Sequence, residues 1–131
     1  MIDVENLVFN AVYDDIAPLC AKGGFRSVYT PRPTVFPTVA LYEMDNRTDR
    51  KRRSTGEDED FAVLTYEMHV YANTKAECRK VFAAADEALG RYNFVRFSGA
   101  YTPNLNNERL HEYAARYQVR VSDDGCLSRV T

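Results

Sequence analysis

The first element predicted from the spacing of apolar and polar residues is a helix over residues 3–20. Its apolar side chains recur at steps of three and four residues, which lines one face of a helix, and they are Val4, Leu7, Val8, Ala11, Val12, Ile16 and Leu19. Asp3 can cap the first turn by accepting a hydrogen bond from a backbone amide. Because Pro18 has no N–H to donate, we expect the helix to end or distort near residue 17. Gly23-Gly24 then turns the chain.

Several short segments are rich in β-branched and aromatic residues, and this composition predicts strands. They are residues 25–30, 38–45, 61–72, 93–101 and 112–122. In the third segment one face carries Ala62, Leu64, Tyr66, Met68 and Val70. Apolar residues on its other face as well predict a central strand whose second face is partly covered.

The last strand segment alternates more strictly than any other. One face carries Tyr113, Ala115, Tyr117, Val119 and Val121, and the other carries Glu112, Arg116, Gln118 and Arg120. If this strand pairs with residues 61–72, Glu67 and His69 lie near its polar face. That face is either exposed sheet surface or a contact surface for a subunit or partner, and alternation alone does not separate the two.

A second helix follows Thr74. Thr74 and Glu77 have the spacing of a capping box, in which each side chain satisfies the backbone amide of the other residue. Periodicity predicts a buried face made of Cys78, Val81, Phe82, Ala85, Ala88 and Leu89. Gly90 sits where helices commonly end in a left-handed residue.

The order of elements predicts an α+β fold in one domain, residues 1–131. The order is helix, two strands, a charged loop over residues 46–60, a strand, a helix and two strands, followed by a polar tail over residues 123–131. Two helices can share one face of a mostly antiparallel sheet of about five strands. We therefore expect Val81, Phe82 and Leu89 to pack against Tyr117 and Val119.

Composition narrows the class of protein. With 131 residues, 45% of them hydrophobic, and a net charge of -2, the chain has the balance of a globular domain. A dedicated nucleic-acid binder would be basic. No apolar run is long enough to span a bilayer, and the acidic N-terminus lacks the apolar core of a signal peptide, so a cytoplasmic protein is expected.

The candidate chemistry is sparse. Cys20, Cys78 and Cys126 are odd in number and lack a C-x-x-C spacing, so they predict two small buried side chains on helices and one free thiol. His69 and His111 are each isolated in strands, and no common catalytic or phosphate-binding motif is present. The acidic run at residues 57–60 lacks the spacing of a calcium loop. We predict no enzyme, no cofactor and no metal.

The charged loop is the most unusual segment. Its basic residues come first and its acidic residues last, namely Arg47, Arg50, Lys51, Arg52 and Arg53, then Glu57, Asp58, Glu59 and Asp60, with Asp49 among the basic ones. A mobile, solvated hairpin loop is one interpretation. Long loops in compact domains are often functional, and segregated charge suits head-to-tail contact between copies. We favour contact between subunits, with these residues as the interface.

Three sequence patterns resemble the small tail terminator and tail completion proteins of long-tailed bacteriophages. The first is Phe36-Pro37-Thr38-Val39 running into Tyr42-Glu43-Met44-Asp45-Asn46. The second is Tyr66-Glu67-Met68-His69-Val70-Tyr71-Ala72-Asn73 before a helix, and the third is Pro103-Asn104-Leu105-Asn106-Asn107 before Arg116-Tyr117. The order of elements and the length match this family across essentially the whole chain.

The resemblance implies a subunit that closes into a ring, with a hexamer expected. The ring would cap the tail tube and join it to the head-side connector, so the implied partners are other copies, the tube protein and the connector. DNA would pass through the ring as cargo without specific binding, and no membrane is involved. The implied location is the virion tail or neck, after assembly in the host cytoplasm. The alternatives are a head-closure or connector-adaptor ring protein, or a small cytoplasmic ligand-binding or enzyme domain.

Overall fold

A computed structural model describes residues 5–28, 33, 35–52, 58–103, 110–122 and 127–129. In this part of the chain, six strands form one sheet and two helices pack on one of its faces. The predicted α+β class is confirmed. No helix among these residues is long and apolar enough to cross a membrane.

The first helix, α1 (Glu5–Ile16), ends where the sequence predicts, and Pro18 lies in a single 3₁₀ turn (Ala17–Leu19). The predicted cap, Asp3, lies outside the described residues. The turn at Gly23 is confirmed, and its φ of 76° is the left-handed conformation that favours glycine. The next strand, β1 (Phe25–Arg26), is shorter than predicted.

Strands β2 (Thr38–Arg52) and β3 (Asp58–Ala72) form a long antiparallel ribbon. The predicted loop over residues 46–60 is therefore wrong for residues 46–52 and 58–60, which continue both strands. The register sets Arg50 opposite Asp60, Lys51 opposite Glu59 and Arg52 opposite Asp58. Opposite charges at facing positions favour pairing, and the ladder satisfies backbone groups that a loop would leave to water. We call residues 46–52 and 58–60 the charged arm.

The second helix, α2 (Lys75–Arg91), confirms the cap and the buried face. The Glu77 backbone N–H donates to Thr74 Oγ1 over 3.2 Å, and every predicted core side chain of this helix is buried. The predicted end at Gly90 is wrong, because the helix continues to Arg91. The left-handed residue is Asn93, with a φ of 72°, a conformation that asparagine tolerates better than most residues.

The remaining strands are β4 (Val95–Pro103), β5 (His111–Ser122) and β6 (Leu127–Ser128). The sheet order is β1-β2-β3-β5-β4, and β6 pairs with the end of β5. Strand β3 is central, as predicted, and all pairs are antiparallel except β1–β2. The expected polar tail is wrong in part, because Leu127 pairs with Val121 and extends the sheet.

The core lies between the helices and one face of the sheet. It joins Val8, Val12 and Ile16 of α1 and the buried face of α2 to the alternating apolar residues of β3 and β5. The Phe82 ring is buried and stacks on Tyr113 at 3.9 Å between ring centroids. Cys78 is buried as expected, whereas Cys20 follows the 3₁₀ turn and is only half-buried.

Two β-bulges interrupt the ladders. In β2 the register shifts between Glu43 and Asp45, so Met44 is an extra residue with no facing partner position. In β4 the shift lies between Arg96 and Ser98, so Phe97 is the extra residue. Bulges increase local twist and re-aim side chains, and both of these extra residues are large, apolar and exposed.

Candidate functional site

A cluster of polar side chains lies on the face of the sheet opposite to the helices. Side chains alternate along a strand, so Glu67 and His69 of β3 point away from the core that holds Met68. The register sets Tyr42 of β2 and Arg116 of β5 on either side of Glu67, and it places Glu112 opposite Tyr71, two pairs beyond His69. We call Tyr42, Glu67, His69, Glu112 and Arg116 the His69 cluster.

Both ring nitrogens of His69 contact a carboxylate. Nδ1 lies 2.5 Å from Oε1 of Glu112, and Nε2 lies 2.6 Å from Oε1 of Glu67. The Tyr42 hydroxyl lies 3.2 Å from the same Nε2, and the Tyr42 and Tyr71 rings stack in near-parallel planes beside the imidazole. Only 8% of His69 is exposed. The imidazole therefore links β3 to β5 in a largely dry environment.

The contacts of His69 favour its charged form. Burial alone would lower the pKa of His69, but the hydrogen bonds and negative charges of Glu112 and Glu67 outweigh burial and raise the pKa above 6.5. Because a carboxylate oxygen only accepts, two short contacts fit an imidazolium that donates from both nitrogens. Arg116, whose Nε lies 3.7 Å from Oε2 of Glu67, adds a second positive charge. Two cations thus balance two carboxylates.

The charged contacts of this cluster tie neighbouring strands of the sheet together. An imidazolium with both N–H groups committed to carboxylates has no lone pair for a metal ion or for proton abstraction. Within the described ranges, no group of three His, Cys, Asp or Glu side chains is arranged to hold a metal. A surface pocket of about 280 Å³ adjoins the cluster, lined by Glu67, Ser98, Gly99, Ala114, Ala115 and Arg116.

A further polar link ties the sheet to α2 on the opposite face. The Tyr117 hydroxyl donates to Oδ1 of Asp86 over 2.7 Å, and the Arg96 guanidinium lies 3.3 Å from the same carboxylate oxygen. Burial, and then the hydrogen bond to Asp86, raise the pKa of the Tyr117 hydroxyl. Tyr117 therefore remains a neutral donor that satisfies a half-buried carboxylate.

The predicted interface residues lie elsewhere, along the charged arm. Arg47 is exposed and its Nε donates to Oδ2 of Asp45 over 2.7 Å. The backbone register places the other predicted residues of β2 and β3 in facing pairs, while Arg53 and Glu57 lie outside the described residues. Asp60 and Glu67 are about 23 Å apart along β3, at about 3.3 Å per residue, so the arm and the His69 cluster are separate sites.

The sequence pattern placed Glu67 and His69 near the strand face that carries Glu112 and Arg116, but it did not reveal Tyr42 or the direct contacts of His69. His69 is not isolated, because Glu112 reaches it from a strand that is distant in the sequence. The expected proximity of Glu67 to Arg116 is confirmed. One signal could have found the rest: Glu67 and His69 share a face of a strand that the pattern makes central, and charged groups at such positions need partners.

Comparisons with known proteins give a fold-level result. No family model matches the chain, and no curated protein matches it. Among solved structures, a chain from the virion of native gene transfer agent (GTA) particle is similar, with a TM-score of 0.56 and 16% identity. The similarity covers 85% of this chain and 91% of that chain. At this level of identity, the likeness shows that the two chains share a fold.

Proposed function

We propose that this protein is a structural subunit of a phage-like virion and that it forms a ring, a hexamer, that caps the tail tube. The observation that carries the proposal is the similarity to a chain of the gene transfer agent virion over nearly the full length of both chains. The resemblance of three sequence patterns to tail terminator proteins supports the finer role. The ring would also join the tail to the head-side connector, within the virion.

The shape of the sheet supports assembly into a closed ring. Among the described strands, β4 forms one edge of the sheet, and β1 with the outer part of β2 forms the other. These edges differ in sequence and length, so a contact that joins one edge to the opposite edge of the next copy is head-to-tail. Head-to-tail contacts close into a ring when the rotation between neighbours allows it. A cap of this kind acts by occupying the last polymerising surface of the tube, and it requires no reaction, cofactor or metal.

The charged arm fits a contact with a neighbouring subunit. Ion pairs that are exposed to water are each worth only about 0–1 kcal/mol, so pairing within one copy would stabilise the arm little. The Lys and Arg residues lie on β2 and most of the acidic ones on β3. A neighbour could therefore meet one strand of the arm with its own opposite charge, which gives direction to the contact.

The proposal is tested first by the mass of the assembly. Light scattering of the purified protein should give about six times the 15.0 kDa of one chain, and negative-stain microscopy should show rings with a central hole. Growing tail tubes should stop elongating when the protein is added. A protein that stays monomeric, or rings that leave tube growth unchanged, would contradict the proposed role.

The same experiment separates the proposed role from a related one. A connector-adaptor or head-closure ring would bind connector complexes and leave the ends of tail tubes free. The tail terminator role requires binding to tube ends in the absence of any connector.

A further inference from the structure

Each edge of the sheet carries one bulge with an exposed, large apolar side chain. Phe97 on β4 is 53% exposed and Met44 on β2 is 45% exposed. Both residues are the extra residue of their bulge, so each lies outside the regular ladder of its strand. Exposed apolar side chains on sheet edges promote association with other chains. Proteins normally prevent such association with charged residues or proline at the edge.

The two bulges lie at the same level of the sheet. Glu43 faces Tyr66, Tyr66 faces Tyr117, and Tyr117 faces Arg96. Met44 follows the first residue of this row and Phe97 follows the last. A row of facing residues runs straight across the strands, so the two bulges mark the two ends of one line.

Strand direction also fits an edge-to-edge contact. Three antiparallel pairings separate β2 from β4, so β2 and β4 run in opposite directions. A neighbouring copy rotated about an axis parallel to the strands keeps those directions. Strand β4 of one copy then lies antiparallel to β2 of the next, with Phe97 close to the level of Met44.

The residues around the bulges have complementary charge. Met44 lies between Glu43 and Asp45, whereas Phe97 follows Arg96. Asp45 already accepts from Arg47 and Arg96 lies beside Asp86 within the same copy, but the Asp45 side chain is still 45% exposed and the Arg96 side chain 43% exposed, so part of each side chain faces outward. An acidic edge around one apolar residue thus matches a basic edge around the other.

We infer that Phe97 of one copy packs on Met44 of the next copy and that this contact forms the head-to-tail seam between subunits. The occupant of each edge is a second copy of this chain, so the inference rests on the proposed ring. Thioether sulfur and an aromatic ring make a favourable contact, and the bulges replace a continuous backbone ladder with a side-chain contact. The seam adjoins the charged arm at Asp45, which accepts a hydrogen bond from Arg47.

Chemical cross-linking tests the seam directly. The parent protein carries Cys126→Ser, and its Cys20 and Cys78 react slowly because burial raises the pKa of each thiol to about 11. Met44→Cys and Phe97→Cys are added singly and together, and each protein is treated with a short bismaleimide. The double variant should give a ladder of cross-linked species up to the ring size. Each single variant and the parent should give none.

A second measurement uses polar substitutions at exposed positions. Phe97→Ser and Met44→Ser should each raise the concentration at which the ring dissociates by about tenfold or more, as measured by sedimentation. Val28→Ser is the matched control, because Val28 is apolar and 53% exposed but lies outside both bulges. The control should assemble like the unmodified protein.

The outcomes separate this inference from the proposed function. A ring that assembles normally but gives no ladder in the double variant overturns the Phe97–Met44 seam and leaves the ring in place. Cross-linking of either single variant to itself shows a symmetric contact between identical edges, which also overturns the seam. A protein that is monomeric at every concentration overturns both the seam and the ring.

Discussion

The two faces of β3 are both largely shielded from water, but by different physical means. Its apolar face is covered by α1 and α2, and its contacts depend on shape and volume. On the other face, which neither α1 nor α2 covers, His69 and Tyr71 are buried, and His69 contacts charged partners from two strands. The apolar face should therefore respond to lost volume and the polar face to changes in protonation. The predictions below test that distinction.

The largest effect is expected on the helix-covered face. Phe82→Ala removes a buried ring that stacks on Tyr113, so the free energy of unfolding should fall by about 3–5 kcal/mol. Urea unfolding followed by circular dichroism measures the change. Val28→Ala is the control, and its effect should stay within about 0.5 kcal/mol because Val28 is 53% exposed and lies outside the subunit seam. Equal losses in the two variants would contradict the assigned core.

A smaller and pH-dependent loss is expected on the polar face. Glu112→Gln removes the charge that His69 Nδ1 meets, and hydrogen bonds to charged groups are worth about 1.5–3 kcal/mol. The folded pKa of His69 is raised, so the stabilisation is fully present below pH 6.5 and is lost as the pH rises through the folded pKa. Urea unfolding of the unmodified protein and of Glu112→Gln between about pH 5 and pH 9 measures how the difference in their free energies of unfolding changes with pH.

A comparison of Glu112→Gln with Phe82→Ala shows whether the loss of stability depends on the protonation of His69. The loss in Glu112→Gln should shrink as the pH rises, whereas the loss in Phe82→Ala should not change with His69 protonation. An NMR titration of His111→Gln, which leaves His69 as the remaining histidine, should give a pKa above 6.5. A pKa below 6.5 would contradict the ion-paired imidazolium.

A modest effect is expected from the Tyr117 hydroxyl, which ties β5 to α2. Tyr117→Phe removes the donor to Asp86 and keeps the buried ring, so the free energy of unfolding should fall by about 0.5–1.5 kcal/mol. Thermal unfolding measures the change. Tyr92→Phe removes a similar bond, from the Tyr92 hydroxyl to Asp15, at a more exposed place and should cost less. The reverse order would show that burial does not set the value of these bonds.

The charged arm should matter least for folding and most for assembly. Replacing Arg50, Lys51 and Arg52 of the arm, together with Arg53, by glutamate should change the free energy of unfolding by no more than about 1 kcal/mol for each of the three facing pairs. Ring formation or tube capping should weaken, and assembly of the unmodified protein should weaken as salt screens charges beyond about 8–10 Å. In the control variant each arginine is replaced by lysine and the lysine by arginine, which preserves the charge. If the glutamate variant caps tail tubes normally, the arm is a solvated hairpin that makes no contact needed for assembly.

No effect at all is expected from removing metal. Dialysis against a chelator should leave the melting temperature unchanged, because no bound metal is expected to couple to folding. Elemental analysis before and after dialysis provides the check. A transition metal retained at one per chain would overturn this prediction.

Patterns within single segments predicted most of the helices and strands. The pairing between strands that are distant in the sequence is not visible in such patterns. The Thr74 cap and the buried face of α2 follow from spacings of three and four residues, which are visible within one segment. The pattern predicted a loop at the charged arm because a run of charged and polar residues shows no apolar face. Its pairing becomes evident only when Lys51 is set against Glu59. Bulges at Met44 and Phe97 depend on register, which no single segment contains.

The central position of β3 also affects how the chain folds. Strand β3 can pair with β2 soon after both are made, because they are neighbours in the sequence. Its other edge cannot pair until β5 has been made. Even the facing residues that are closest in sequence, Ala72 and His111, are separated by α2 and β4. Contacts between distant residues slow folding, because the intervening chain must be ordered first. During synthesis on the ribosome, one edge of β3 therefore stays open until β5 has emerged, and that interval is when the nascent chain is most exposed to aggregation.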